Sequence, residues 1–219
     1  GMEDSYREKE QLTLYKDEAT FVDERTVDVD GERLSAETVV VAAGSRPLVP
    51  PIDGLDTVDY MTSQEALYRR KQPESLVILG GGYIAVELGY FFESLGTDVK
   101  IVAMMDSLVP REDPDVPSTF TEIAEQRHEV YTGHRATAVE AQGDSVTVHA
   151  ETEAGDEAAV SGDELLVALG RRPNTDTLQV DAAGIETDDR GFIVTNDRLE
   201  TSADGVWAQG DIADNAMFK

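Results

Sequence analysis

The seven residues Leu79-Gly80-Gly81-Gly82-Tyr83-Ile84-Ala85 constrain this chain more than any other stretch. They set the pattern G-x-G-x-x-A directly after the apolar run Leu76-Val77-Ile78-Leu79 and at the start of a segment, Tyr83 to Leu95, with helical periodicity. A short apolar run bounded by glycine reads as a strand covered on both faces. Ile84, Leu88, Phe91 and Leu95 fall at i, i+4, i+7 and i+11, one face of a helix. A strand that turns so tightly into a helix needs small residues at its close approaches. Gly80 permits the turn, Gly82 lets backbone approach a diphosphate, and Ala85 lets the helix pack on the strand. The helix N-terminus then offers N–H donors and a partial positive charge. Gly80, Gly82, Tyr83, Ile84 and Ala85 are therefore candidate nucleotide-binding residues; the competing reading is a tight strand–helix turn that binds nothing.

The flanking pattern extends this unit. Gly96 closes the helix and Val99 to Val102 is the next strand. Pro117 to Arg127 reads as a helix that starts on proline, where the missing N–H does no harm. Glu129 to Tyr131 is a short strand. Ala136–Ala141, Ser145–Ala150 and Ala158–Val160 form an antiparallel meander, and Glu164 to Leu169 a last strand. Upstream, Thr62-Ser63-Gln64-Glu65 opens a helix that Pro73 ends. The expected fold class is α/β, a doubly wound Rossmann-type domain with an antiparallel β-meander. Gln11 to Gly44 reads as β-structure: Leu12 to Tyr15 alternates, Asp30-Gly31 is a two-residue hairpin turn, and Val39 to Ala43 is a strand covered on both faces. Arg46 to Pro51 is a proline-rich linker. The expected divisions are 1–61, 62–174 and 175–219. Val39–Ala43 and Val206–Gln209, both apolar and both feeding glycine turns, should be neighbouring parallel strands with Gly44 and Asp211 on one edge.

A dinucleotide site of this kind places an acid about 20 residues on, at the end of the second strand, against the ribose 2′-hydroxyl, or an arginine against a 2′-phosphate. That position is Ala103, followed by Met104, and the nearest charges are Asp106 and Arg111. Ala103 and Arg111 join the candidates, and NAD versus NADP stays open.

Composition narrows the class further. The 219 residues carry 45 acids against 18 bases, a net charge of −27. Such a chain repels nucleic-acid backbones and anionic membranes. Six acids and no base lie between Glu151 and Glu164, and only five of the bases are lysines. A surface so charged repels itself at low ionic strength and is relieved by high salt, the expectation for a halophile's cytoplasm. With no cysteine, the chain holds no disulfide or thiol nucleophile. No apolar run reaches membrane-spanning length. Gly1 before Met2 reads as a cloning scar, and Phe218-Lys219 as an interrupted segment.

Three further segments resemble, in order, those of the pyridine nucleotide-disulfide oxidoreductases, FAD enzymes that include dihydrolipoamide dehydrogenase and glutathione, mycothione and mercuric reductases. Val41-Ala42-Ala43-Gly44-Ser45-Arg46-Pro47 is similar to their A-T-G-S-x-P motif, with Ala43 for threonine. Ala168-Leu169-Gly170-Arg171-Arg172-Pro173-Asn174 is similar to G-R-x-P-N. Thr201 to Asp211 is similar to the second FAD motif, ending in Gly210-Asp211. The glycine segment, with Val86-Glu87-Leu88-Gly89, resembles the NAD(P) motif. Residues 13–27 and 45–51 look most like the mycothione reductase branch. The resemblance implies NAD or NADP, and FAD held partly by Gly44, Gly210 and Asp211, with Gly170 a further cofactor-binding candidate. It also implies that Tyr83 covers the nicotinamide pocket and that Glu87 touches the carboxamide. It further implies a homodimeric, cytoplasmic parent that passes hydride from NAD(P)H through FAD to a disulfide substrate. An intact member has another glycine motif, a C-x4-C pair and a catalytic His-Glu pair, which this chain does not contain. No catalytic residue or metal ligand is therefore assigned, and His128, His134 and His149 are expected at the surface. The fragment alone should be inactive and colourless. Three alternatives remain: an NADH oxidase or ferredoxin reductase type of flavoenzyme, a non-catalytic nucleotide-binding module, and a methyltransferase, which the Gly170 and Gly210-Asp211 segments oppose.

Overall fold

The computed structural model describes residues 2–213, and their side chains from Glu3 onward. The reading of Phe218-Lys219 therefore lies outside the described residues. The chain forms two compact units, Gly1–Arg46 with Arg172–Lys219, and Pro47–Arg171.

The first unit begins with a short helix, α1 (Met2–Arg7), which the sequence reading did not anticipate. Leu12 to Tyr15 is not a strand. Leu12, Leu14 and Tyr15 are 37–42% exposed, and alternation without a partner strand leaves the ladder hydrogen bonds unmade. β1 (Ala19–Asp23), β2 (Thr26–Val29) and β3 (Glu32–Ser35) form an antiparallel sheet. The β2–β3 turn is the expected Asp30-Gly31 pair, with φ of 51° and 83°. Two positive φ values give a turn whose twist matches that of the strands, and Asp28 Oδ1 accepts the Gly31 N–H at 3.0 Å. β4 (Val39–Val41) and β5 (Ser45–Pro47) follow. The expectation that β4 is covered on both faces fails: Val41 is buried, but Val40 is 56% exposed.

The second unit holds α2 (Ser63–Leu67), β6 (Ser75–Leu79), α3 (Tyr83–Ser94), β7 (Asp98–Val102), α4 (Asp115–Glu125) and β8 (Glu129–Tyr131). The meander β9 (Arg135–Gln142), β10 (Ser145–Glu151), β11 (Glu157–Gly162) and then β12 (Glu164–Val167) complete it. β12, β6, β7 and β8 make a parallel sheet in that order. The chain starts in the middle, winds outward through α3 and α4, and returns to the far side of β6. Leu76 to Leu79 of β6 are wholly buried and their side chains divide by the two-residue period. Leu76 and Ile78 join Ala85, Leu88 and Phe92 in the core beneath α3. Val77 and Leu79 pack with Val139, Val146 and Val148 beneath the meander. Each fully buried aliphatic side chain of this kind stabilises the fold by about 1.5–3 kcal/mol.

Residues 47–61, grouped with the first segment in the sequence reading, pack in this unit. Val139 donates to the Asp53 carbonyl at 2.8 Å, and Met61 exchanges backbone bonds of 2.8 Å with Leu165 and Val167. α2 starts where expected, in a capping box: Gln64 N–H donates to Thr62 Oγ1 at 3.3 Å, and Glu65 Oε2 accepts the Thr62 N–H at 2.8 Å. It ends at Leu67, well before Pro73. α4 begins at Asp115, two residues before the expected proline. Among the described residues no helix is long and apolar enough to cross a membrane.

The chain re-enters the first unit through β13 (Arg171–Pro173) and α5 (Thr175–Leu178), and its last described strand is β14 (Val206–Ala208). β14 pairs in parallel with β4, Val206 to Val39 and Ala208 to Val41, as expected. Phe21, Val41, Ile185, Ile193, Val206 and Ile212 are among the residues of this unit's core.

Candidate functional site

Leu79 leads into a corner built by sterics. Gly80 has φ 123°, and a Cβ there would stand 2.2 Å from the Ala168 carbonyl oxygen. Its N–H donates to Val102 O at 2.9 Å, and Ala168 N–H to Leu79 O at 2.8 Å, so β12 and β7 grip the turn from both sides. A Cβ at Gly81 would lie 2.9 Å from Ala103 Cβ and 3.2 Å from Leu108 Cδ2. Sequence reasoning left this middle position free; the run of three glycines was the available signal. Gly82 differs. It caps α3 with ordinary extended backbone (φ −81°, ψ 178°), no side chain caps the helix, and an added Cβ would meet nothing within 4 Å. The fold itself does not need glycine here, and a side chain at this position would have room.

Ala85 is fully buried against β6. Tyr83 and Ile84 are half-buried on the first turn of α3, and Glu87 is exposed. Tyr83 and Glu87 stand one turn apart, so they share a helix face. The helix does not bury the expected stripe: its buried residues are Ala85, Leu88, Gly89 and Phe92, while Phe91 and Leu95 are 48% and 54% exposed.

At the end of β7, Ala103 is 1% exposed. Its N–H donates to Tyr131 O at 2.9 Å and its carbonyl accepts from His134 N–H at 3.0 Å. Its side chain forms the floor beneath Gly81 and is not presented to solvent. The next residues, Met104 and Met105, are 60% and 51% exposed. Arg111 is exposed in the loop that follows. Gly170, beyond β12, has φ 126° and its carbonyl accepts from Leu48 N–H at 2.9 Å.

In the first unit, Gly44 and Gly210 have φ of 66° and 76°, each with open space where a Cβ would stand. Gln209 N–H donates to Val41 O at 3.0 Å, which sets the two glycine turns side by side. Ser45 Oγ donates to Asp211 Oδ2 at 3.0 Å. Gly44 and Asp211 thus do share one edge. Asn174 fixes the first turn, its N–H on Gly44 O at 3.2 Å and its Nδ2 on Ala43 O at 2.8 Å. Arg46 clasps the same region, donating to Asn174 Oδ1 and to both oxygens of Asp176 at 2.6–2.9 Å. The Arg46 hydrogen bonds hold the Asp176 carboxyl down at about 2.

His128 and His134 are half-buried rather than at the surface, while the His149 side chain is 42% exposed, as expected. His128 has a buried Nδ1 without a hydrogen-bond partner, and burial lowers its pKa. His134 Nδ1 lies 2.7 Å from Thr132 O, and His149 Nε2 lies 3.1 Å from Glu140 Oε1. Among the described residues no cluster of three acids, histidines or cysteines could hold a metal ion.

Comparison with known proteins places these corners in a family context. The family profile described as pyridine nucleotide-disulphide oxidoreductase matches residues 3–218. A mercuric reductase of Staphylococcus aureus is 37% identical over 206 residues, covering 94% of this chain and 38% of that protein. A dihydrolipoyl dehydrogenase of Haloferax volcanii is 37% identical over 214 residues, covering 93% of this chain and 45% of its own length. The solved structure of the HOCl-induced flavoprotein disulfide reductase RclA from Escherichia coli superposes with a TM-score of 0.85 at 30% identity, over 96% of this chain and 48% of that one. The chain therefore spans less than half the length of these relatives.

Proposed function

Because the chain belongs to the pyridine nucleotide-disulphide oxidoreductase family, we propose that Pro47–Arg171 is the NAD(P)-binding part of an FAD-dependent NAD(P)H:disulfide oxidoreductase. Gly1–Arg46 and Arg172–Lys219 then carry pieces of its flavin-binding part. The observation that supports this reading best is Gly82. A helix of 12 residues begins there with no side-chain cap, and among the described residues no atom lies within 4 Å of where a Gly82 Cβ would stand. Uncapped N–H groups and the positive end of the helix dipole favour a diphosphate.

The residues then take distinct parts. Gly80 and Ala85 bring strand and helix together, and Gly82 admits the diphosphate. Tyr83 covers the nicotinamide pocket, and Glu87, on the same face, receives the carboxamide. In the flavin-binding part, Asp211, held by Ser45, accepts a hydroxyl of the ribityl chain beside the open turns at Gly44 and Gly210. A bound flavin supplies two-electron chemistry, taking hydride from reduced nicotinamide and returning the electron pair to a disulfide. With Ala103 buried, no carboxylate stands at the end of β7 to select the ribose 2′-hydroxyl. The parent protein acts as a cytoplasmic homodimer on a disulfide substrate.

Calorimetric titration with NADH and NADPH tests the binding, and rapid mixing of the flavin-loaded full-length protein with the preferred nucleotide tests the reaction. Saturable binding and bleaching of the flavin are the expected results. Binding without flavin reduction would leave only a nucleotide-binding module, and no binding would remove the reading.

A further inference from the structure

Val109 has φ 45°, a left-handed conformation that a β-branched side chain resists because its Cβ crowds the neighbouring carbonyl. Pro110 follows it, and a residue before proline is steered toward extended backbone. Neither local preference accounts for the observed conformation. A tertiary contact does: the Val109 N–H donates to the Gly81 carbonyl at 2.6 Å. The loop that delivers this bond is firmly anchored. Leu108 is wholly buried, its N–H donates to Thr121 Oγ1 at 2.9 Å, and that hydroxyl donates to Pro117 O at 2.7 Å. α4 therefore holds the loop that holds Gly81.

The described chain contains no cis peptide bond, so the Gly81 carbonyl and the Gly82 N–H of one peptide plane point in opposite directions. Tying the Gly81 oxygen to Val109 aims the Gly82 N–H away from the Leu108–Val109 loop. A peptide between two glycines meets little steric resistance to rotation. If it turned over, it would present a carbonyl oxygen to an approaching anion.

We infer that Val109 is a positioning residue, whose strained N–H latches the Gly81 carbonyl so that the Gly81–Gly82 peptide offers an N–H to the diphosphate of a dinucleotide. The inference rests on the nucleotide reading above and adds the device that keeps that site receptive. Coupling is reciprocal, so a bound diphosphate tightens the latch by the same factor by which the latch tightens binding.

ADP-ribose and adenosine are titrated into the unaltered protein and into two variants. Val109→Pro removes the N–H and cannot take a positive φ; Val109→Gly keeps the N–H and takes that φ freely. Val109→Gly should bind ADP-ribose within about threefold of the unaltered protein, and Val109→Pro about tenfold more weakly or worse, a coupling of ordinary size. Adenosine, which has no phosphate, should bind all three alike. A folded Val109→Pro protein with undiminished ADP-ribose affinity overturns the latch, as do equal losses for both ligands. If Val109→Pro does not fold, amide exchange in the unaltered protein decides. Saturating ADP-ribose should slow exchange of the Val109 N–H about tenfold, and an unchanged rate overturns the latch. An unaltered protein that binds no ADP-ribose overturns the nucleotide reading and the latch together; binding that ignores Val109 removes the latch alone.

Discussion

An alanine at Gly80 would carry its Cβ to 2.2 Å from a backbone oxygen at φ 123°, whereas one at Gly82 would meet no atom within 4 Å. Gly80→Ala should therefore destabilise the Pro47–Arg171 unit by about 1–2 kcal/mol or more from the backbone conformation alone, read as a lower urea midpoint. The roles of Gly80 and Ala85 were legible because a tight strand–helix turn demands small residues whatever the rest of the chain does. Gly81 and Val109 were not. Their conformations answer to Ala103, Leu108 and each other, across separations that local pattern does not report. Ala103 was legible as a missing charge but not as a buried floor. Asp176 carries a pH prediction. Its folded pKa of about 2 lies below the ordinary 3.8, so its contribution is fully present above about pH 4 and is lost as pH falls through 2. The side chain is 45% exposed, which limits the effect to about 1 kcal/mol. Acid titration of stability should show this loss, and Arg46→Met should largely remove it.

At the scale of elements, the α3 face shows why a helix can be found and its orientation misjudged. Choosing the large apolar residues Ile84, Leu88, Phe91 and Leu95 ignores that a helix on a parallel sheet packs closely through small ones. The buried set Ala85, Leu88, Gly89 and Phe92 is one residue out of step with that choice. Gly89 nonetheless has room. A Cβ there would lie 3.4–3.7 Å from Ile78, Ile101 and Val99 methyls, an ordinary contact. Gly89→Ala should stabilise the unit by about 0.5–1 kcal/mol, since glycine inside a helix loses more chain entropy; a lower melting temperature would show that the sheet tolerates no closer approach. The Asp30-Gly31 turn and the helix start at Thr62–Glu65 were legible because each is satisfied within four residues. Leu12 to Tyr15 alternates equally well and forms no strand, because a strand also needs a neighbour.

For the whole molecule, 45 acids against 18 bases set the dependence on salt. With 18 bases for 45 acids, most carboxylates cannot have a base to themselves, and screening shortens their mutual repulsion from about 10 Å at 0.1 M salt to about 3 Å at 1 M. The melting temperature should rise steadily with KCl into the molar range; a flat or falling curve would show that acids spread along the chain cost little. The same surface bears on the proposed binding, because a diphosphate would have to reach α3 against a net charge of −27. On the proposed reading the N–H groups at the start of α3 offset that field locally, so Gly82 is the position to test. Aspartate at Gly82 would cap α3, raising stability by a few tenths of a kcal/mol, while placing a carboxylate where the diphosphate belongs. Calorimetric titration of NADH into the unaltered protein and into Gly82→Asp, beside their melting curves, is the direct measurement. The account predicts a variant at least as stable that no longer binds; a variant that binds NADH as well as the unaltered protein would contradict it.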